Sequence, residues 1–421
     1  MIDYVQALER LLAQIDQLPT EACALGEASG RVLADAVVSR VALPSFDHAA
    51  MDGYALSASK PLVAGSEHLV HGSQAAGDAA RYAEAREGEP GACEIMTGAA
   101  LPEGLDAVVA VERTECLATR TDGMPARIRL LDTLHAGDNV RYAGSDVAQS
   151  ELVLSAGTRI ASARIMLLAA LGIASVPVVA RARVAVICTG KELQAELAKP
   201  LRAERIHNSN GPYLMAALSA AGARVLSCET VDDTAVTYAD ALQRAIDARV
   251  DLVISTGAVS MGRYDFVPDT LRRFGAQLLF HKVAIRPGKP LLAARLANGP
   301  LVIALPGTPM AVAAGFRFMV IPALRKMGGQ GSEAAIHAVL DTPQQPKAGL
   351  RHFLRANLQP HVDGQMHVAV PEQQQPFRIR PFADADVWVV LPEDAGDCPA
   401  GTRVQVVGVE PGEHPHCLAS H

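Results

Sequence analysis

Arg183-Val184-Ala185-Val186-Ile187-Cys188-Thr189-Gly190 is a near-continuous apolar run that stops on a hydroxyl and a glycine. A short run of this kind, closed by a turn residue, predicts a strand buried on both faces. The segments after it repeat the theme. Pro212 to Ala221 reads as a helix with proline in its first turn and Gly222 at its end. Arg224–Val231 reads as a strand, and Asp232-Asp233-Thr234 opens a helix to about Arg249 with acids at its positive end. Asp251–Thr256 is a strand, followed by the loop Gly257-Ala258-Val259-Ser260-Met261-Gly262. A short helix around Asp269–Phe274 comes next, then strands at Gln277–Ile285, Leu291–Arg295 and Leu301–Leu305, then a long helix after Pro306. Strand–helix alternation predicts a parallel sheet covered on both faces. Ligands of such sheets bind beyond the carboxyl ends of the strands.

The flanks read differently. Met1 to about Leu43 starts with an amphipathic helix whose apolar positions include Val5, Leu8, Leu11, Leu12 and Ile15. From Pro44 to about Asp146 the chain is rich in Gly, Pro and short β-prone runs such as Ala107–Val111 and Ala126–Leu131, which predicts a small β-rich unit. From about Glu333 to the end, runs such as Val387–Leu391 and Arg403–Val409 predict a small all-β module, with Gln373–Gln375 and Pro376 in a loop.

Composition narrows the function classes. The 421 residues are 49% hydrophobic and 20% charged, too apolar for a disordered chain and long enough for several buried cores. Lys and Arg number 38 against 45 Asp and Glu, a net charge of −7, which argues against a nucleic-acid surface. Seven cysteines are scattered without a C-x-x-C pair, as suits reduced thiols rather than a zinc knuckle. Arg181 and Arg183 interrupt one apolar stretch, and Arg317 with Pro322 another, so no membrane span is expected. With Asp3, Glu9 and Asp16 in the first helical stretch there is no secretory pattern, and a cytoplasmic location is expected.

Five loops carry more chemistry than a turn requires. Pro44-Ser45-Phe46-Asp47-His48 leads to Asp52-Gly53, which could equally be an ordinary Asp-Gly turn. Thr97-Gly98 could offer a hydroxyl and an amide to an anion, or form a plain surface loop. Thr189-Gly190-Lys191-Glu192 places a carboxylate at the sheet's ligand edge, suited to Mg²⁺; the other reading is an acid at a helix start. Thr256-Gly257-Ala258-Val259-Ser260, with Asp265 beyond, has an open backbone fit for phosphate, but no Gly-Lys-Ser/Thr ending of a P-loop. Lys282, Arg286 and Lys289, followed by Pro306-Gly307-Thr308-Pro309 at a helix start, gather cations and amides for an oxyanion. Together these loops predict a phosphorylated-ligand site using Mg²⁺. No Ser-His-Asp or Cys-His arrangement is legible, so covalent catalysis is not indicated. The tail around His414, His416 and Cys417 could hold a soft metal or simply fray.

At these loops the sequence resembles the molybdopterin molybdenumtransferase (MoeA) family, which includes the gephyrin E domain. The resemblance rests on Pro44-Ser-Phe-Asp47, Ala50-Met-Asp-Gly-Tyr-Ala55, Ile95-Met-Thr-Gly-Ala99, Asn139-Val-Arg141, Leu171-Gly-Ile173, Thr189-Gly190 with Glu192-Leu193, Arg286-Pro-Gly-Lys-Pro290 and Leu305-Pro-Gly307. It implies a multidomain α/β and β protein. Residues 1–44 and 147–179 would form an elongated helical linker domain, 45–146 a β-rich inserted domain, 180–329 a doubly wound α/β molybdopterin-binding domain, and 330–421 a C-terminal domain like a small β-barrel. It also implies insertion of molybdate into adenylyl-molybdopterin with Mg²⁺, releasing AMP and giving molybdenum cofactor. The family forms a homodimer whose cleft lies between the α/β domain of one subunit and the β-rich domain of the other. Contacts with other cofactor-biosynthesis proteins or molybdoenzymes would also suit it.

Carried over residue by residue, the resemblance makes Asp52, Thr97, Asp232, Lys282 and Arg286 the catalytic candidates. Glu192 and Asp265 become the metal candidates. Arg141, Asp146, Thr189, Gly190, Gly257, Ser260, Lys289, Pro306, Gly307 and Pro309 become the ligand-binding positions. Arg286 replaces a usual Lys, which changes donor geometry. Other departures sit at ligand-facing loops. Ser145 stands where the family has Glu, and Lys191 where it has Asp; Asn208-Ser209-Asn210-Gly211 replaces Asp-Ser/Thr-Asn-Arg. Ala258 replaces a Gly, and Thr308-Pro309-Met310-Ala311 replaces Asn-Pro-Val-Ser. They leave two alternatives open: a non-catalytic molybdopterin-binding or scaffold paralogue, and a transferase for another oxyanion such as tungstate.

Overall fold

The computed structural model describes residues 1–79, 91–259, 266–334, 336–362 and 364–409. Its centre is a six-stranded sheet in the order 224–231, 183–189, 252–256, 301–305, 292–295, 277–281. The first four strands are mutually parallel. Alternate side chains point into two separate cores, as a sheet covered on both faces requires. Val184, Val186 and Cys188 pack under the helices Asn210–Ala220 and Pro309–Gly315, while Ala185 and Ile187 meet Tyr238, Leu242 and Leu271 on the other side.

The sheet is not parallel throughout, which corrects one expectation. Leu292–Arg295 runs antiparallel to Leu301–Leu305, and Gln277–His281 antiparallel to Leu292–Arg295. Residues 296–300 are too few for a crossover, which needs about a dozen residues, so the chain folds back as a hairpin. The strand predicted for Gln277–Ile285 also divides. It ends at His281, and Ile285–Arg286 pairs instead with Arg351–His352 of the C-terminal module.

The first helix, Tyr4–Leu12, is capped by the Asp3 carboxylate, which accepts the Gln6 N–H at 2.8 Å. It was expected in the linker, but Ala7, Leu11 and Ile15 insert into the α/β core. Backbone bonds Ile2 N–H to Lys282 O and Leu18 N–H to Met327 O fix both of its ends there. The linker itself is built by two passes of the chain: Thr20–Ala24 pairs with Ser175–Val179, and Val37–Val38 with Leu152–Leu154. The β-rich module has a six-stranded sheet in the order 107–110, 53–56, 91–95, 67–74, 125–130, 114–119, with its own apolar clusters. In the C-terminal module the strands 351–360, 366–369, 336–340, 403–408 and 387–391 close into a five-stranded barrel. No described helix is long and apolar enough to cross a membrane.

The helix after Pro309 continues to Met327 through a π-helical stretch, Phe316–Val320. Pro322 explains the irregularity: it lacks the N–H that Phe318 O would accept in an α-helix. That carbonyl accepts the Tyr4 hydroxyl instead, at 3.1 Å. The same stretch meets the barrel. Phe318 stacks on Phe353 at 3.7 Å between ring centroids, and Trp388 meets Phe318 edge-on at 6.0 Å. Arg317, 5% exposed, donates to Gly408 O at 2.8 Å and to Glu333 Oε2 at 2.6 Å. Arg317→Leu should cost about 3 kcal/mol, because it removes the donor from two partners at a buried seam. The check is the urea midpoint read from Trp388, the single tryptophan of the chain.

Candidate functional site

The parallel strands present their carboxyl ends on one edge, and the ladder sets how close the loops come. Thr230, Cys188, Thr256 and Leu305 lie in one row across four strands. The turns that follow are therefore neighbours. Gly257 has φ +90°, and a Cβ there would lie 2.5 Å from Thr189 Oγ1 and 2.7 Å from Thr189 O. A Cβ on Gly307 would lie 3.6 Å from Gly257 Cα, and Gly257 N–H donates to Leu305 O at 3.0 Å. Thr189, Gly257 and the Pro306-Gly307 turn thus touch in series. Ala258, where the family has glycine, keeps a left-handed φ of +49° despite its Cβ.

Glu192 stands at this edge. A Cβ on Gly190 would sit 2.8 Å from Glu192 Oε1, so the carboxylate folds back over the glycine. The chain there does not start a helix; Leu193–Gln194 forms a short parallel pair with Ile206–His207. Beside it, Gly190 N–H donates to Val231 O, and Lys191 N–H approaches Asp233 Oδ2 at 3.4 Å. Asp232 is exposed next to these, its carbonyl accepting the Thr237 hydroxyl at the following helix start. The sequence's other two candidates here, Ser260 and Asp265, lie outside the described residues, as does the His414–Cys417 tail.

Two strand reversals return Gln277–His281 to the orientation of the parallel strands, so Lys282 leaves the sheet on the same edge. Two strand spacings, about 10 Å, separate it from the Pro306 turn. Val259 O bonds His281 Nε2 at 2.8 Å and so spans that gap from the glycine loop. Lys282 has φ +71°, held by its N–H to Leu291 O and its carbonyl from Ile2 N–H. Backbone strain of this kind clusters at ligand sites. Arg286 and Lys289 are exposed farther along; Arg286 sits against His352, whose pKa is lowered by burial first and by Arg286 second. At Pro309 the amide of Met310 is already taken by Pro376 O of the C-terminal module, at 3.0 Å.

The sequence marks Asn208 and Asn210 as part of a stretch that departs from the family pattern and not as site candidates. Asn208 and Asn210 are buried. Asn210 Nδ2 donates to Gly307 O at 2.8 Å; Asn208 accepts from Gly211 N–H at 3.0 Å and donates to Thr230 Oγ1 at 2.9 Å. Two asparagines just before a Gly-Pro helix start were the available signal. Beneath them the Cys188 thiol is drawn down by a hydrogen bond with Cys228, with Asn208 and Thr256 helping against burial. A separate cavity of about 370 Å³ lies at the seam of Tyr4, Arg317 and Phe353, and none of the candidates lines it.

The remaining candidates lie in the β-rich module. Asp52 Oδ1 accepts both the Thr97 N–H at 2.7 Å and the Thr97 hydroxyl at 2.9 Å. Gly53 is obligatory beside it, since a Cβ would meet Val109 O at 1.9 Å. Arg141 is exposed on the two-residue strand paired with His48–Ala49, and Asp146 is exposed where its N–H returns to Leu43 O. The structure thus forms two groups, one at the strand ends and one around Asp52–Thr97. They stand in modules whose apolar cores share no residue.

The chain matches three family models in this order: "MoeA N-terminal region (domain I and II)" over residues 2–172, "Probable molybdopterin binding domain" over 185–326, and "MoeA C-terminal region (domain IV)" over 337–409. It is 33% identical over 417 residues to the molybdopterin molybdenumtransferase of Synechococcus elongatus, covering 96% of this chain and 99% of that protein. The chain belongs to the molybdopterin molybdenumtransferase family. The Bacillus subtilis member is 33% identical, covering 96% of this chain and 93% of its own. The crystal structure of the molybdopterin biosynthesis MoeA protein from Pyrococcus horikoshii superposes with a TM-score of 0.79 at 27% identity, over 96% of this chain and 99% of that one. The MoeA-like arrangement, with an α/β module and a closed barrel, is therefore the fold of this chain.

The Thr97 N–H and, after it, the Thr97 hydroxyl hold the Asp52 carboxyl below its ordinary range. Such a group keeps its stabilising contacts above the unfolded-state value and loses them as pH falls through the folded one. Thr97→Val deletes the hydroxyl and keeps the amide. It should raise the Asp52 pKa part of the way to the ordinary value, as a carboxyl NMR titration would record. No movement would mean that the hydroxyl contact does not form in solution.

Proposed function

We propose that this chain inserts molybdate into adenylyl-molybdopterin and releases AMP, with the ligand's pyrophosphate lying along the carboxyl edge of the α/β sheet. The observation that supports this is the contact series Thr189–Gly257–Gly307 with Lys282 on the same edge. Open backbone at strand ends and a cation beside it are what two oxyanions, pyrophosphate and molybdate, require. Lys282, Arg286 and Lys289 would hold negative charge. Thr189, Gly190, Gly257, Ser260 and the Pro306-Gly307-Thr308-Pro309 turn would shape the floor.

Mg²⁺ suits the donors as a water-rich ion rather than a caged one. Among the described residues no cluster of three or more metal-ligating side chains exists, and Glu192 presents one carboxylate at the edge. Mg²⁺ commonly takes one or two carboxylates plus substrate phosphates and keeps its waters. Glu192, with Asp265, would hold the ion, which when bound would neutralise phosphoryl charge. Glu192→Gln should slow AMP release by about a hundredfold or more. The assay is AMP release from adenylyl-molybdopterin with molybdate and Mg²⁺; unchanged turnover would remove Glu192 from the metal.

Asp52, Thr97, Arg141 and Asp146 would reach the ligand from the other subunit of a homodimer, since they belong to a module with a separate core. Asp52→Asn and Lys282→Met proteins, each impaired alone, should then complement each other. Random subunit exchange makes half the dimers mixed, each with one intact cleft, so about a quarter of wild-type turnover should return. No recovery would place both residues in a cleft made by a single chain.

A second reading, a molybdopterin-binding paralogue without turnover, draws on Asn208. It replaces a family acid, and both ends of its amide are engaged within the fold. Tight pterin binding without AMP release would decide for it, and AMP release driven by tungstate alone would decide for another oxyanion.

A further inference from the structure

Between Pro371 and Ile379 the barrel sends out a loop that leaves its own module. Pro376 O accepts the Met310 N–H at 3.0 Å, which seats the loop on the first turn after Pro306-Gly307-Thr308-Pro309. The loop is pinned from beneath. Arg355, 1% exposed, donates to Gln373 O and Arg378 O, and Gln374 returns bonds to Arg355 O at 3.0 Å and Pro371 O at 2.9 Å. A buried guanidinium tied to loop carbonyls is an expensive anchor that fixes a backbone conformation. What it holds out is Phe377, 65% exposed, one residue beyond the carbonyl bonded to Met310.

An exposed phenylalanine alone is unremarkable on a protein surface. This one differs in its setting. Its loop is anchored from beneath and seated on the first turn beyond Pro309, and among the described residues the turns 189–193, 206–210, 256–259 and 305–309 carry one aromatic ring, the exposed imidazole of His207. Those turns offer amides, a carboxylate and hydroxyls, all suited to the charged middle of the ligand. Adenylyl-molybdopterin also carries a flat nitrogen heterocycle at each end of its pyrophosphate.

We propose that Phe377 is the stacking platform for a planar heterocycle of the ligand bound at the strand ends. The proposal rests on the functional reading above. Stacking needs a π-face held at a fixed height, and the Arg355 anchor gives this one a set position without covering it. Arg378, the next residue, is also exposed and adds a cation at the rim.

The test is equilibrium binding to the full-length protein. The probes are inorganic pyrophosphate, ADP (pyrophosphate with adenine) and neopterin monophosphate (phosphate with a pterin). Wild type should bind at least one ring-bearing probe more tightly than pyrophosphate. Phe377→Ala and Phe377→Leu should weaken that probe about five- to a hundredfold, as loss of a base–aromatic stack does, and leave pyrophosphate unchanged. Phe377→Trp should restore tight binding, and its emission should be quenched as the ring docks. The probe that responds identifies adenine or pterin as the stacked ring. If wild type and Phe377→Ala bind both ring probes alike, Phe377 is not a platform while the oxyanion site stands. If wild type fails to bind pyrophosphate or either ring probe, the strand-end site itself is wrong and the platform falls with it.

Discussion

Everything at the proposed centre depends on how closely three strand ends approach one another. Parallel strands about 4.8 Å apart bring their following turns into collision unless one of the turns has no side chain at the point of contact. At Gly257 the available space is less than one methyl group, because Thr189 O and Oγ1 occupy it. Glycine there is a steric requirement, and its φ of +90° is one that glycine adopts without a Cβ penalty. The Pro306-Gly307 turn lies against the same atom, and Asn210 ties it to the neighbouring helix start. A floor of backbone is what remains when side chains are excluded, and it is polar enough for oxyanions to replace water on it.

A second constraint connects this edge to the rest of the molecule. The helix from Pro309 carries strain at its π-helical stretch because Pro322 removes a backbone donor, and Tyr4 from the first helix supplies one. Tyr4 stays protonated well into alkaline conditions, its pKa pushed up to about 12 by burial. The stretch also places Arg317 and Phe318 against the barrel. N-terminal helix, α/β sheet and barrel therefore form one packed body, which lets a barrel loop reach the first turn beyond Pro309. The β-rich module, which carries the Asp52–Thr97 pair, has apolar cores of its own, separate from that of the linker. That separation of cores is what the proposed cleft between two subunits rests on.

The departures from the family pattern become intelligible at these contacts. Ala258 holds a conformation better suited to glycine, a local cost of roughly 1–2 kcal/mol that the surrounding turn must offset. Asn208 has become a structural amide that ties a helix start to a strand end.

The chain's own letters determined the layered α/β centre, because buried parallel strands read as apolar runs such as Arg183–Thr189 and their helices as capped amphipathic stretches. They also marked most strand-end loops, since Thr-Gly, Gly-Ala and Pro-Gly pairs signal turns locally. Three things needed tertiary structure. The direction of Gln277–His281 and Leu292–Arg295 depended on a short connection, not on composition. The home of the first helix depended on which core accepted Ala7, Leu11 and Ile15. Thr230 beside Asn208, Gly307 beside Asn210 and Met310 beside Pro376 all come from other segments of the chain, and burial or exposure of a side chain is fixed only when distant segments meet.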